Sequence, residues 1–142
     1  VRPYNSREEI ERLVRAFEAC TLPKSQWTHE AHLTVALWYL MNHSAEEATL
    51  SMRSGIKRYA KAIGVRMTPT GGYHETITLF WMCAVSFYLG QASEGRSILP
   101  LTNGMLRLFG NRKLPLEYYT KERLMSWRAR TSWVGPDLKP LF

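Results

Sequence analysis

The sequence has only two cysteines, and neither belongs to a C-x-x-C pair or to the spacing of a disulfide framework. Cys20 and Cys83 each lie within an apolar helical pattern, so we expect both to be buried thiols. Cys83 has no histidine three or four residues away, which argues against a nucleophilic cysteine.

Long hydrophobic runs are also missing. The most apolar stretch, residues 77–89, is interrupted by Thr78 and Ser86 and is shorter than the roughly 18 residues that a membrane span needs. The first residues do not form a signal peptide, so we expect a cytoplasmic protein without a membrane span. Because the chain starts at Val1 rather than methionine, the question of a lost targeting segment stays open.

Acidic residues are scarce relative to basic ones, with 12 Asp and Glu against 19 Lys and Arg and a formal net charge of +7. This excess raises the chance of an anionic ligand or a nucleic-acid contact. Basic and aromatic residues alternate near the C-terminus, as in a nucleotide-contacting strip. The strip consists of Lys121, Arg123, Arg128, Arg130, Tyr118, Tyr119, Trp127 and Trp133. A solvated amphipathic helix has the same composition, so nucleic-acid binding is an unfavoured alternative.

Apolar residues recur at helical spacing along most of the 142 residues, without strand alternation. Capping residues predict helices that begin after Ser6, Thr28 and Ser44. The second of these should run over residues 29–42. A fourth helix, apolar on nearly all sides, is predicted over residues 74–91 and should be central.

The last part of the chain gives weaker signals. Residues 99–109 predict a short helix, and Thr120 could cap another that passes through Trp127. The final ten residues contain two prolines and should form an extended arm docked by Trp133 and Leu138. We therefore predict an all-α fold, one domain over residues 1–142, with about five to six helices around a central apolar helix.

Two motifs place histidines at predicted helix starts. In Trp27-Thr28-His29-Glu30-Ala31-His32-Leu33, the histidines lie three apart and share one helix face. This is not the H-E-x-x-H spacing, so a metalloprotease has no support.

The second motif is Gly71-Gly72-Tyr73-His74-Glu75-Thr76, in which a histidine and a glutamate follow a flexible loop. The helix dipole disfavours a protonated imidazole at such a position and so keeps it available as a ligand or base. Adjacent residues diverge by about 100° on a helix, so only one of each His-Glu pair can face a shared ion.

Our leading hypothesis is a pocket in which His29, His32 and His74 bind a divalent transition metal, namely zinc, iron, copper or nickel. Glu75 would act as catalytic base or fourth ligand, and Glu30 is the alternative glutamate. Whether such a site catalyses a reaction stays open. Histidines and glutamates at helix starts also have purely structural roles, and we give this interpretation as much weight as the metal site and the metal-free pocket together.

The first alternative is a metal-free protein that binds a small molecule in the same pocket. Trp27, Tyr73 and Trp81 would line it, with Glu30 among the polar groups. The second alternative is a basic module that contacts nucleic acid or an acidic protein through the third helix, which begins after Ser44, and through the arginines of the C-terminal strip. A homodimer would be consistent with so aromatic a helical chain.

The motifs together resemble those of an uncharacterised family of short bacterial helical proteins with W-T-H-x-x-H-L, G-Y-H-E-T and W-V-x-P-D-L patterns. In this chain they span Trp27–Leu33, Gly72–Thr76 and Trp133–Leu138. The resemblance implies a helical fold and a site at these positions, Asp137 included, and implies no particular activity.

Overall fold

The computed structural model describes residues 2–92 and 97–142. Within these ranges the chain forms an all-α bundle, as predicted, with seven α-helices and two short 3₁₀ helices. The helices are α1 (Arg7–Glu18), α2 (His29–Asn42), α3 (Ala45–Ala62), α4 (Glu75–Gln91), α5 (Ile98–Phe109), α6 (Lys121–Leu124) and α7 (Trp127–Thr131). The 3₁₀ helices are Lys24–Gln26 and Leu114–Glu117. Strand-like pairing in these ranges is limited to one isolated bridge between Thr68 and Gly71.

Side-chain caps fix where the first three helices begin. The hydroxyl of Ser6 accepts from the amide of Glu9, and that of Thr28 accepts from the amide of Ala31. Ser44 forms a reciprocal capping box with Glu47, in which each side chain binds the other's backbone. These are the caps that the sequence predicted.

Helices α2 and α4 pack together at the centre of the bundle, and α1, α3 and α5 complete the main core around them. The sequence predicted a single central helix, yet α2 is the more completely buried of the two. Cys83 and Phe87 on α4 are exposed, and Cys20 is only half-buried, so the expectation of two buried thiols was wrong. A helix that is apolar on all sides does not reveal which face its neighbours cover.

The C-terminal part forms a smaller second core against α4, centred on Phe80, Tyr119, Leu124, Ala129 and Val134. The predicted helix after Thr120 is divided into α6 and α7. The division occurs because the hydroxyl of Ser126 accepts from the amide of Ala129 and starts a new helix.

The predicted docking residues hold the final segment only in part, through an edge-on contact of Trp133 with Tyr119 and a backbone hydrogen bond from Leu138 to Tyr118. Trp133 and Leu138 are 41% and 54% exposed, whereas Val134 is buried. Val134 is held by its backbone, whose carbonyl accepts from the Tyr119 hydroxyl at 2.7 Å and whose amide donates to Thr76 Oγ1 at 3.1 Å. Backbone hydrogen bonds of this kind leave no pattern in the sequence.

Among the described residues, no helix combines the length and apolar character that crossing a bilayer requires.

Candidate binding cavity

A cavity of about 730 Å³ lies where α2, α3 and α4 meet the C-terminal part of the chain. The Thr- and Gly-rich loop between α3 and α4 forms one wall. The aromatic and histidine side chains along it are those of Trp27, His29, His32, Tyr59, Tyr73, His74 and Trp81. The structure therefore brings both histidine motifs to one cavity.

His32 presents a neutral imidazole to this cavity. Its Nδ1 donates to the carbonyl of Thr28 at 2.8 Å, which leaves Nε2 unprotonated and without a hydrogen-bond partner among the described residues. Burial lowers the pKa of His32 to about 4, against the opposing effect of the Thr28 bond. Near neutral pH the ring is therefore an acceptor.

Trp27 holds the His32 ring in place by stacking. The indole lies between Phe17 and His32, with ring centroids 4.3 Å and 3.8 Å away. Such offset aromatic contacts fix ring orientation in addition to burying apolar area.

His29 also keeps one nitrogen unused. Its Nε2 lies 2.8 Å from the carbonyl of Phe109 and donates to it, and its Nδ1 has no hydrogen-bond partner among the described residues. The ring meets the indole of Trp81 edge-on at a centroid distance of 4.7 Å. His29 and His32 thus form a pair of half-satisfied imidazoles on α2.

His74 differs because both of its ring nitrogens are engaged. Nδ1 accepts from the amide of Ile77 at 3.1 Å and so caps α4, while Nε2 donates to the carbonyl of Leu124 at 2.7 Å. Burial lowers the pKa of His74, and the charge of Arg130 acts in the same direction. With these two bonds made, the ring has no lone pair to offer a metal ion.

Glu75 belongs to an ion pair beside the cavity. It binds Arg53 through two guanidinium nitrogens, with contacts of 2.8 to 3.2 Å, and accepts from the Tyr73 hydroxyl. Burial raises the pKa of Glu75, but the bonds from Arg53 and Tyr73 outweigh this and lower it. Such a carboxylate is a weak base, and the residues along the cavity do not include it.

The other predicted residues divide between the cavity and its surroundings. Trp27, Tyr73 and Trp81 line the cavity, whereas the lining does not include Glu30. Asp137 binds the amide and hydroxyl of Thr120, a structural contact at the start of α6. In the described residues, no group of three or more His, Cys, Asp or Glu side chains is arranged to hold a metal ion.

Arg130 belongs to the cavity and not to a solvated strip. The sequence pattern predicts a basic strip at this position, yet the side chain is only 5% exposed and lines the cavity. Its Nη1 donates to the carbonyls of Gly72 and Tyr73, at 3.0 and 3.4 Å. The pattern Arg128-Ala129-Arg130 contains no signal that distinguishes the exposed arginine from the buried one.

The chain matches no family model, no curated protein and no solved structure. The resemblance to the bacterial helical family therefore stays a prediction.

Proposed function

We propose that this protein binds a small molecule in the cavity between α2, α3, α4 and the C-terminal part, without a metal ion. One observation carries the proposal: the cavity holds two imidazoles, those of His29 and His32, that each have an unpartnered nitrogen beside the indoles of Trp27 and Trp81. Ligand sites combine apolar and aromatic walls with a few polar groups that fix orientation, as here.

The size of the cavity supports this proposal. Ligand pockets measure about 300–1,000 Å³, and the cavity at about 730 Å³ falls within that range. Since His32 is neutral and its Nε2 can only accept, the ligand should offer it an O–H or N–H group. Trp27 and Trp81 would pack against an apolar or aromatic part of the ligand.

Metal binding at His29 and His32 is the second candidate. The unpartnered nitrogens of these two rings favour it, while the two hydrogen bonds of His74 speak against the predicted triad. Elemental analysis of untagged protein, compared with a His29/His32 double alanine variant, separates the candidates. A stoichiometric metal lost in the variant would replace the metal-free proposal.

The binding test uses 2-naphthol, a neutral aromatic probe that carries one O–H donor. We expect backbone amide resonances of cavity residues to shift on titration, and this effect should disappear in Ala60→Trp, whose indole would occupy the cavity. Ala62→Trp is the matched control, because residue 62 is exposed on the same helix and does not line the cavity.

A change at the imidazole tests the predicted orientation. His32→Phe keeps a ring against Trp27 but removes the acceptor, so affinity for 2-naphthol should fall about 3- to 10-fold. The proposal fails if the titration shifts no cavity resonance, or if Ala60→Trp responds as the native chain does. The cytoplasmic location, the homodimer and contact with nucleic acid stay predictions.

A further inference from the structure

Arg130 is a buried cation without a partner of opposite charge. The side chain is 5% exposed, and no carboxylate of the described residues lies within ion-pair distance of it. Nη1 binds the carbonyls of Gly72 and Tyr73, but Nε is fully shielded from water and makes no hydrogen bond. A buried donor left in this state costs about 1–3 kcal/mol, and more when it is charged.

The unsatisfied edge of the guanidinium has the geometry of a carboxylate receptor. Nε and Nη2 project their N–H bonds in parallel, and neither has a hydrogen-bond partner among the described residues. Two parallel N–H groups match the two oxygens of a carboxylate or phosphate.

Arg53 provides an internal comparison. Its side chain is 29% exposed and therefore better hydrated than that of Arg130, yet it is paired with a carboxylate. It uses the same edge, since Nε and Nη2 bind the carboxylate of Glu75 at 3.0 and 2.8 Å. In this molecule a less buried guanidinium has its carboxylate, while the more buried one lacks it.

The charge of the cavity wall points in the same direction. Lys24, Arg112 and Lys113 line the cavity together with Arg130, and the described lining residues include no Asp or Glu. An anion would therefore find attraction without an opposing carboxylate.

We propose that the ligand of this cavity is an apolar or aromatic molecule that bears one anionic oxygen group, a carboxylate or a phosphate ester, bound by Arg130. This inference rests on the proposed binding function and adds the chemical class of the ligand. The anionic group would bind the guanidinium first at Nη2 and then at Nε once the groups that shield Nε from water move aside, while the apolar body packs against the aromatic wall.

Three matched probes test the charge on the native chain. They are the 6-hydroxy derivatives of 2-naphthylacetate, of its neutral amide and of 2-naphthyl phosphate, so that all three offer His32 the same O–H donor, with affinities measured by isothermal titration calorimetry at pH 7. We expect at least one of the two anions to bind about 10- to 100-fold more tightly than the amide. The tighter of the two anions then identifies the group as carboxylate or phosphate.

Variants of α7 test whether Arg130 carries this preference. Arg130→Gln should bring the affinity of the preferred anion down to that of the amide, whereas Arg128→Gln, at an exposed position outside the cavity lining, should leave it unchanged. If Arg130→Gln fails to fold, the native protein still gives a direct readout, because an anion on the free edge should shift the Nε–H resonance of Arg130 and the amide probe should not.

The outcomes separate this inference from the function on which it rests. If the amide binds as tightly as both anions, the cavity binds ligands and the anionic class is wrong. If the Arg130→Gln variant still binds an anion more tightly than the amide, another cation is responsible for the preference and the role of Arg130 is wrong. If neither 2-naphthol nor any of the three probes binds, both proposals fail.

Discussion

Lowering the pH from 7 to 4.5 should destabilise the fold by about 2 kcal/mol through His32 alone. Burial lowers the pKa of this ring from 6.5 to about 4 in the folded chain, so between these values the unfolded chain binds more protons than the folded one. The free energy of unfolding therefore falls as the pH falls. A shift of one pKa unit corresponds to about 1.4 kcal/mol, and most of the shift is expressed by pH 4.5.

Urea denaturation at pH 7, 6, 5 and 4.5 measures this loss, with His32→Gln as the reference chain. Carboxylates titrate in both proteins and cancel in the difference, which leaves the contribution of His32. The free energies of unfolding of the two chains should converge as the pH falls, because only the native chain loses the contribution of the neutral His32 ring. A titration of the His32 ring by NMR gives the folded pKa directly.

Parallel pH profiles for the native and Gln chains would refute this reasoning. An NMR pKa of 6.5 or above would do the same, since the Thr28 bond would then outweigh burial.

Other predictions concern the helix cap and two glycines. His74→Ala should lower the free energy of unfolding by about 2–4 kcal/mol, because it removes the cap of α4 and the donor to the buried carbonyl of Leu124. His74→Asn can still cap and should lose less in urea denaturation; equal losses would contradict the double role. Gly55→Ala would place a methyl group 2.8 Å from Phe17 and should destabilise by about 1–3 kcal/mol. Gly90→Ala places its methyl group in open space on α4 and should stabilise the fold by about 0.5 kcal/mol, seen as a higher melting temperature. If Gly55→Ala and Gly90→Ala change the stability by the same amount, Phe17 can move aside and the steric argument is wrong.

Local signals were sufficient to predict the main helices. The bounds of α2 were predicted correctly, because Thr28 caps one end and an asparagine followed by a helix-starting serine marks the other. The capping box at Ser44 predicted the start of α3 in the same way. Each of these signals depends on residues within one helical turn, so it can be recognised in the sequence without knowledge of the fold.

The roles of His74 and Arg130 could not be predicted in this way, because their partners are distant in the chain. Leu124 lies 50 residues from His74, and Gly72 lies 58 residues from Arg130. The sequence favoured a neutral and available imidazole at residue 74 because of the helix dipole, whereas burial and Arg130 lower its pKa and both nitrogens are engaged. Local patterns do not indicate which backbone carbonyl a ring will meet. A buried arginine likewise looks the same in sequence as a solvated one.

The Arg130 contact with Gly72 also determines when the cavity can form during synthesis. Helices α1 to α4 can pack as soon as they have left the ribosome, because their contacts are comparatively short in sequence. The wall that includes Arg130 closes only after residue 130 has left the ribosome, 58 positions after Gly72. We therefore expect a nascent chain stopped before residue 130 to acquire helical structure without binding capacity, which would appear only once residue 130 has been added.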